Sequence, residues 1–475
     1  MMKNLTLLIF LLALSVNQVY AQDLDSMLKS VPNQEAFWSL TVLDEDGKKM
    51  ESYNSDKLII PASNQKLYTL AAVLGRLGSD FRYTTNIYGK GELVDSTWQG
   101  DLIIKGSGDP SISGILYDDD REYVFKELLK QLNMFGIKDI NGSLYSDINY
   151  FDEEIYPVGW DWHDLSFYYG VEIAPLSFNN NAFDLIVNAE GEVGDKPEIT
   201  VYPELDMFEV LNEQVIISFG KEYDEFYRRR LGSNEIVLAS KLPQNYIETE
   251  SLSINNAGLF FLSSFELFLK KNGIENITSS SLDVECSSVG FSIVLASHTS
   301  KPLSELVNWA NKESDNFYTE MLLKTLAAEK QGIPGTFENG IKEVRGFLAE
   351  QGVDTNLVKM NDGSGLAMGN YTTTGNISRL LYSMKSHQES EVFYNSLPIA
   401  GIDGSIAHRF KGTELYNNLR AKTGYVSGVR TLSGYMTTSS GKKITFSLAT
   451  NHFVGKVKPV DYSHQQILEY LYQKY

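Results

Sequence analysis

Ser63 and Lys66 stand three residues apart in Pro61-Ala62-Ser63-Asn64-Gln65-Lys66, and together they can make a nucleophile. A serine hydroxyl attacks a carbonyl carbon poorly at neutral pH unless a base sits beside it, and a lysine amine kept out of water can be that base. A three-residue spacing puts both side chains on one face if the segment is helical. Pro61 pre-sets φ for a first helical turn, and Leu67, Leu70, Ala71 and Leu74 repeat at helical spacing behind it. The pattern predicts a helix that opens near residue 61, buries one side and offers Ser63 and Lys66 at its start. Ser-x-x-Lys alone recurs in many chains as a solvated first turn, so its partners downstream decide.

Two such partners exist. Ser314-Asp315-Asn316 falls in a polar break between helical patterns, the second of which runs through Leu322, Leu323, Leu326 and Ala327. Lys422-Thr423-Gly424 falls in a run from Leu419 to Val429 that reads as a strand. The three motifs, in this order, make the signature shared by class A β-lactamases and penicillin-binding proteins. Each residue type suits a role. Ser63 attacks and Lys66 takes its proton, with burial and the neighbouring cation of Lys422 favouring the neutral amine. Ser314 relays a proton to the leaving amine, and the Asn316 amide can donate to and accept from a substrate peptide group. Lys422 and Thr423 suit a terminal carboxylate, and Gly424 lets a substrate backbone approach the strand. The backbone N–H groups of Ser63 and Tyr425 would form an oxyanion hole, each donor lowering the barrier by roughly 3 kcal/mol.

The elements that must position these residues follow from the rest of the chain. Trp38 to Leu43, the turn Asp44-Glu45-Asp46-Gly47 and Met50 to Tyr53 read as a hairpin feeding the Ser63 helix. Strands follow from Phe81 to Tyr88 and from Asp101 to Lys105. Helices close at Gly136, Gly273 and Gly352, each suited to a left-handed C-terminal cap. The stretch Gly159 to Leu165 sets Trp160 and Trp162 among acids, either lining a ligand groove or packing a small sub-domain. Phe291 to Ala296 is a returning strand, Leu303 to Asn311 a helix, and Thr431 to Met436 with Ile444 to Thr450 a hairpin before a terminal helix carrying Ile467, Leu468 and Leu471.

Its 475 residues exceed what one hydrophobic core usually carries, and 43% hydrophobic with 21% charged residues is ordinary for a globular protein. A formal net charge of -20 without a basic run argues against nucleic acid and anionic membranes as partners. Lys3, the apolar run Leu5 to Val16 and Val19-Tyr20-Ala21 read as an export signal cleaved after Ala21, leaving no transmembrane anchor. The single cysteine, Cys286, cannot form an internal disulfide. The six histidines form no spaced ligand pair, so neither a metal nor another cofactor is expected.

With further motifs, Gly106-x-Gly108-Asp109-Pro110, Asp362-Gly363-Ser364-Gly365-Leu366, Leu397-Pro398-x-Ala400-Gly401-x-Asp403-Gly404 and Leu432-Ser433-Gly434-Tyr435, the chain resembles the D-alanyl-D-alanine carboxypeptidase/endopeptidase family, the class C low-molecular-mass penicillin-binding proteins. The long separation of Ser63 from Ser314 also resembles that family. The resemblance implies an α/β (α+β) fold, a β-lactamase-like transpeptidase domain with two mostly β sub-domains inserted. On this chain that places a signal at 1–21, a split catalytic domain at 22–88 and 290–475, and the insertion at 89–289. It implies a periplasmic or otherwise exported enzyme acting on peptidoglycan stem peptides, with D-alanyl cross-links as further substrates and β-lactams as covalent inhibitors. It also implies that Asp164 and Ser427 help to hold the third stem residue, whereas the arginine expected there is Met368, which cannot bind a carboxylate. A β-lactamase of the same fold and a non-catalytic peptidoglycan-binding module remain the alternatives.

Overall fold

The segment Phe37–Leu43 is apolar enough to be buried along nearly its whole length, which suits a strand covered on both faces. In the structure, a computed structural model that describes residues 24–475 except 29–30, 223, 225, 275 and 283–292, it sits inside a five-stranded antiparallel sheet. The order across that sheet is Arg420–Val426, Val429–Thr437, Lys443–Asn451, Phe37–Leu43 and Lys49–Tyr53. The two ends of the chain thus share one sheet, through the pairing of Phe37–Leu43 with Lys443–Asn451. One face packs on the terminal helix Val457–Lys474 through Ile467, Leu468 and Leu471. The other packs on Thr374–Met384, beyond which Gln65–Leu77, Asn316–Gln331 and Phe337–Glu350 continue the same apolar layer. Gln65–Leu77 is central to that layer. Leu67, Leu70 and Leu74 have no exposed surface, and each side chain contributes roughly 1.5–3 kcal/mol by burial.

Among the described residues, four more sheets lie between this helix and Leu303–Lys312. A mixed five-stranded sheet, ordered Ile277–Leu282, Asp139–Asp147, Thr97–Lys105, Thr84–Val94 and Ile293–Thr299, is covered by the helices Tyr123–Phe135 and Ala257–Lys271 around the aromatic cluster Phe125, Phe178, Phe260, Phe261 and Phe265. Beside it stand the antiparallel sheet Ile247–Ser253, Ala182–Asn188, Glu198–Tyr202, the sheet Tyr227–Arg229, Glu235–Leu238, Glu209–Asn212, and a two-stranded piece. The strand expected at Phe81 begins instead at Thr84. The carbonyls of Phe81 and Tyr83 accept from Leu303 N at 2.8 Å and Ser300 N at 3.1 Å, so the outgoing and returning chains are joined there. The run from Leu419 divides into two strands at Ser427-Gly428, where Gly428 has φ +71°. Gly136, Gly273 and Gly352 all end helices with φ between +74° and +100°. The expected signal, Cys286 and Phe291 lie outside the described residues.

Candidate active site

Ser63 sits in the short 3-10 turn Ala62–Asn64 that leads into Gln65–Leu77. The sheet clamps this turn from below. Thr431 Oγ1 donates to Pro61 O at 2.8 Å, Asn64 Nδ2 donates to Lys422 O at 2.9 Å, and Ser433 Oγ donates to Asn64 Oδ1 at 2.5 Å. Ala62, with φ +46°, holds a left-handed conformation that a non-glycine residue keeps only when its surroundings enforce it. Two glycines permit the approach of neighbouring chains. A Cβ on Gly424 would lie 2.2 Å from Thr431 Oγ1 and 3.0 Å from Ser63 N, and one on Gly365 would lie 1.9 Å from Ala62 O. The strand Arg420–Val426 therefore runs directly beside the serine.

Lys66 has no exposed surface, and its amine donates to Ser63 Oγ at 3.1 Å, Asn316 Oδ1 at 2.6 Å and Ser364 O at 2.8 Å. Those acceptors match the three donors of an ammonium. Burial lowers its pKa to about 8, against the opposing pull of Asp362, Glu320 and Asp315. Asp362 accepts from Gly365 N, Ala367 N, Asn370 Nδ2 and Trp160 Nε1, and Glu320 accepts from Gly363 N and Ser364 N, so both carboxyl groups shape the loop that presents Ser364 O. Burial first, then Asp362, raises the Glu320 carboxyl to about 8.

Ser314, with φ +61°, accepts from Lys422 Nζ at 2.7 Å. Asp315 caps Asn316–Gln331 by accepting from Tyr318 N at 3.0 Å, and Asn316 Nδ2 donates to Tyr169 O at 2.9 Å. Lys422 is fully buried under Ser314 rather than open to the cleft, and burial, Lys66 and Arg430 together hold its amine well below the ordinary range. Thr423 Oγ1 donates to Ser405 Oγ at 2.8 Å.

Above these groups opens a cleft of about 900 Å³ whose lining includes Ser63, Ser314, Asn316, Tyr425, Ser427, Asp164, Tyr169 and Met368. Asp164, in the short turn Asp164–Ser166, is half-buried, and burial and then Asp161 push its carboxyl up from the ordinary value. Ser427 and Met368 are exposed in the same cleft. The structure thus joins Ser63, Lys66 and Asn316 in one hydrogen-bonded group and Ser314 with Lys422 in a second, and puts Asp164, Tyr425 and Ser427 on the walls. Sequence reasoning missed Glu320 and the carbonyls of Ser364 and Tyr169. Glu320 follows Asn316 by one helical turn, a spacing that faces both the same way, but backbone acceptors leave no trace in residue type.

A serine at a helix start, bonded to a buried lysine and facing a second hydroxyl–amine pair beside an edge strand, defines a serine acyl-transfer enzyme of penicillin-binding-protein architecture. The chain belongs to the D-Ala-D-Ala carboxypeptidase 3 (S13) family, which it matches over residues 20–469. It is 30% identical over 451 residues to a D-alanyl-D-alanine carboxypeptidase of Actinomadura sp. (strain R39), covering 91% of this chain and 81% of that protein. The fold is similar to the crystal structure of penicillin binding protein 4 (dacB) from Haemophilus influenzae, with a TM-score of 0.84 and 25% identity over 95% of this chain and 100% of that one. A structure of the same Haemophilus influenzae protein complexed with a β-lactam gives a TM-score of 0.77 at 24% identity, over the same shares of the two chains.

Proposed function

We propose that this chain is an exported serine carboxypeptidase that removes terminal D-alanine from peptidoglycan stem peptides, also cuts D-alanyl cross-links, and is acylated by β-lactams at Ser63. The observation that carries this reading is the Lys66 amine held between Ser63 Oγ and Asn316 Oδ1, with Lys422 held on Ser314. Neutral Lys66 takes the Ser63 proton as Oγ bonds to the carbonyl carbon, and the oxyanion forms beside the N–H groups of Ser63 and Tyr425. Ser314 gives its proton to the departing amine and regains one from Lys422. In deacylation a water attacks the acyl carbon, its proton passing by Ser314 back to Lys422, while Lys66 returns its proton to the departing Ser63 Oγ. An arriving carboxylate near Lys422 and Thr423 raises the Lys422 amine back toward its charged form, which in turn favours neutral Lys66. Relatives named for D-alanyl-D-alanine carboxypeptidase activity and a structurally similar protein bound to a β-lactam support the substrate class. Export is supported by the segment from Lys3 to Ala21, and among the described residues no helix is long and apolar enough to cross a membrane. Residues 89–289 are the proposed insertion within the catalytic domain, with the outer strands of its sheet, Thr84–Val94 and Ile293–Thr299, reaching a few residues beyond those bounds.

The cleft favours an amine at the third stem residue. Its described lining contains Asp161, Asp164, Glu313 and Asp315 but no arginine or lysine, and Met368 offers no charge. Asp164→Asn should lower kcat/KM about ten- to a hundredfold on peptides with an amino-bearing third residue, as loss of a charge-assisted hydrogen bond would. The test of the whole reading is digestion of purified peptidoglycan with product analysis, beside mass spectrometry after exposure to a penicillin. Released D-alanine and a lasting adduct on Ser63 are expected. Fast penicillin turnover would make it a β-lactamase, and neither product nor adduct would make it a binding module.

A further inference from the structure

The cleft wall from Trp160 to Tyr169 carries Asp161, His163, Asp164, Tyr168 and Tyr169, yet its only helical element is the three-residue turn Asp164–Ser166. Its own backbone bonds are turn bonds, such as Asp164 N to Asp161 O at 3.0 Å and Phe167 N to Asp164 O at 3.1 Å, which shape it locally while its placement depends on what lies behind it. Behind it lies Arg229, on the strand Tyr227–Arg229, with 1% of its surface exposed. Its Nη2 donates to Leu165 O at 2.7 Å, its Nη1 to Ser233 O at 2.9 Å, and its Nε to Ser253 Oγ at 3.1 Å. Ser253 Oγ in turn donates to Leu165 O at 2.5 Å, and Ser166 Oγ donates to Arg229 O at 3.1 Å. The carbonyl next to Asp164 therefore receives two donors, one of them charged. Further along, Tyr168 N donates to Ser251 O at 3.2 Å and Phe167 bridges Leu252, so the later part of the wall is held independently of the guanidinium.

Burying a guanidinium is costly even when every donor is satisfied, and an apolar side chain of similar size would fill the space more cheaply. What an apolar side chain could not do is hold a carbonyl of the wall at fixed distance and direction. We propose that Arg229, with Ser253, is a positioning residue for Asp164: it fixes the turn at Leu165 so that the Asp164 carboxylate meets the amine of the substrate's third residue. Neither side chain lines the cleft. The inserted strands Tyr227–Arg229 and Ile247–Ser253 thereby set a side-chain preference without touching the substrate. This rests on the role of Asp164 given above.

The experiment compares two D-Ala-D-Ala peptides that differ only in having lysine or norleucine as the third residue, and adds acylation by benzylpenicillin, which has no such side chain. Ser253→Ala removes one donor to Leu165 O and should lower the lysine-to-norleucine ratio of kcat/KM about three- to tenfold, through KM, with penicillin acylation unchanged. Arg229→Met should lower the ratio further, and if that variant fails to fold, Ser253→Ala still decides. In Asp164→Asn the Ser253→Ala change should have no further effect on the ratio, since both act on one contact. An unchanged ratio in Ser253→Ala, or equal losses on both peptides and on penicillin, overturns the proposal. An unchanged ratio in Asp164→Asn itself shows that the Asp164 reading is wrong, and the assignment to Arg229 falls with it.

Discussion

The acylation rate should rise with pH because the working form of Lys66 is the neutral amine. With a pKa of about 8, roughly a tenth of the enzyme carries neutral Lys66 at pH 7, half at pH 8 and nine-tenths at pH 9. Acylation by a penicillin under kcat/KM conditions should therefore increase about fivefold from pH 7 to 8 and less than twofold from 8 to 9. Glu320 modifies the shape. Its carboxyl, pushed to about 8, ionises in the same window, and its new negative charge pulls the Lys66 pKa upward as the pH rises. The wild-type limb should accordingly be broader than a one-proton titration. Glu320→Gln removes the second ionisation while leaving an oxygen to accept from Ser364 N, so its limb should sharpen and move to lower pH. Stopped-flow measurement of adduct formation between pH 6 and 10 gives both curves. A flat wild-type profile across that range would show that Lys66 is not the base, and an unchanged breadth in Glu320→Gln would refute the coupling.

Ser63→Ala should abolish both peptide cleavage and penicillin labelling, and Lys66→Ala should be nearly as damaging because nucleophile and base act as a unit; labelling in either near the wild-type rate, read by mass spectrometry, would contradict this. Lys422→Met should reduce cleavage of a peptide ending in free D-alanine more than of its amidated analogue, whereas equal losses would confine Lys422 to the proton path through Ser314. Gly424→Ala places a methyl group against Thr431 Oγ1 and the Pro61 carbonyl, so kcat/KM should fall at least tenfold with thermal stability reduced by about 1–3 kcal/mol, and normal activity would mean the strand shifts freely.

The local chemistry and the architecture were legible to different degrees. The helix at Ser63 and the terminal hairpin were legible from their apolar content, although Gln65 to Leu74 is buried on every side rather than on the one side expected, because other helices and the sheet enclose it, and the hairpin strands are buried along nearly their whole length. The order of motifs located the five central residues, since reaction chemistry restricts residue type more tightly than packing does. The layout of the inserted strands was harder to read. Several are three or four residues long, such as Val215–Ile217 and Tyr227–Arg229, too short to establish a period of two. The depth of Lys422 was likewise hidden, because burial of an amine depends on Ser314 and the helices brought over it from distant parts of the chain.

Arg420–Val426 is the outermost strand of its sheet, and an outermost strand has a row of backbone groups without a sheet neighbour. Here that row is divided. Ala421 N donates to Pro398 O at 3.0 Å and Ile399 bridges Arg420, so the first part is already occupied by the chain itself. By the alternation of a strand, the groups at Thr423 and Tyr425 face outward beyond that cover. A visiting peptide can therefore join the sheet over only a few residues, in one register, with its reactive bond opposite Ser63. The same opening is walled by Asp164 and Tyr169. The chain thus leaves only a short stretch of adhesive edge open, which shortens any pairing with a second sheet.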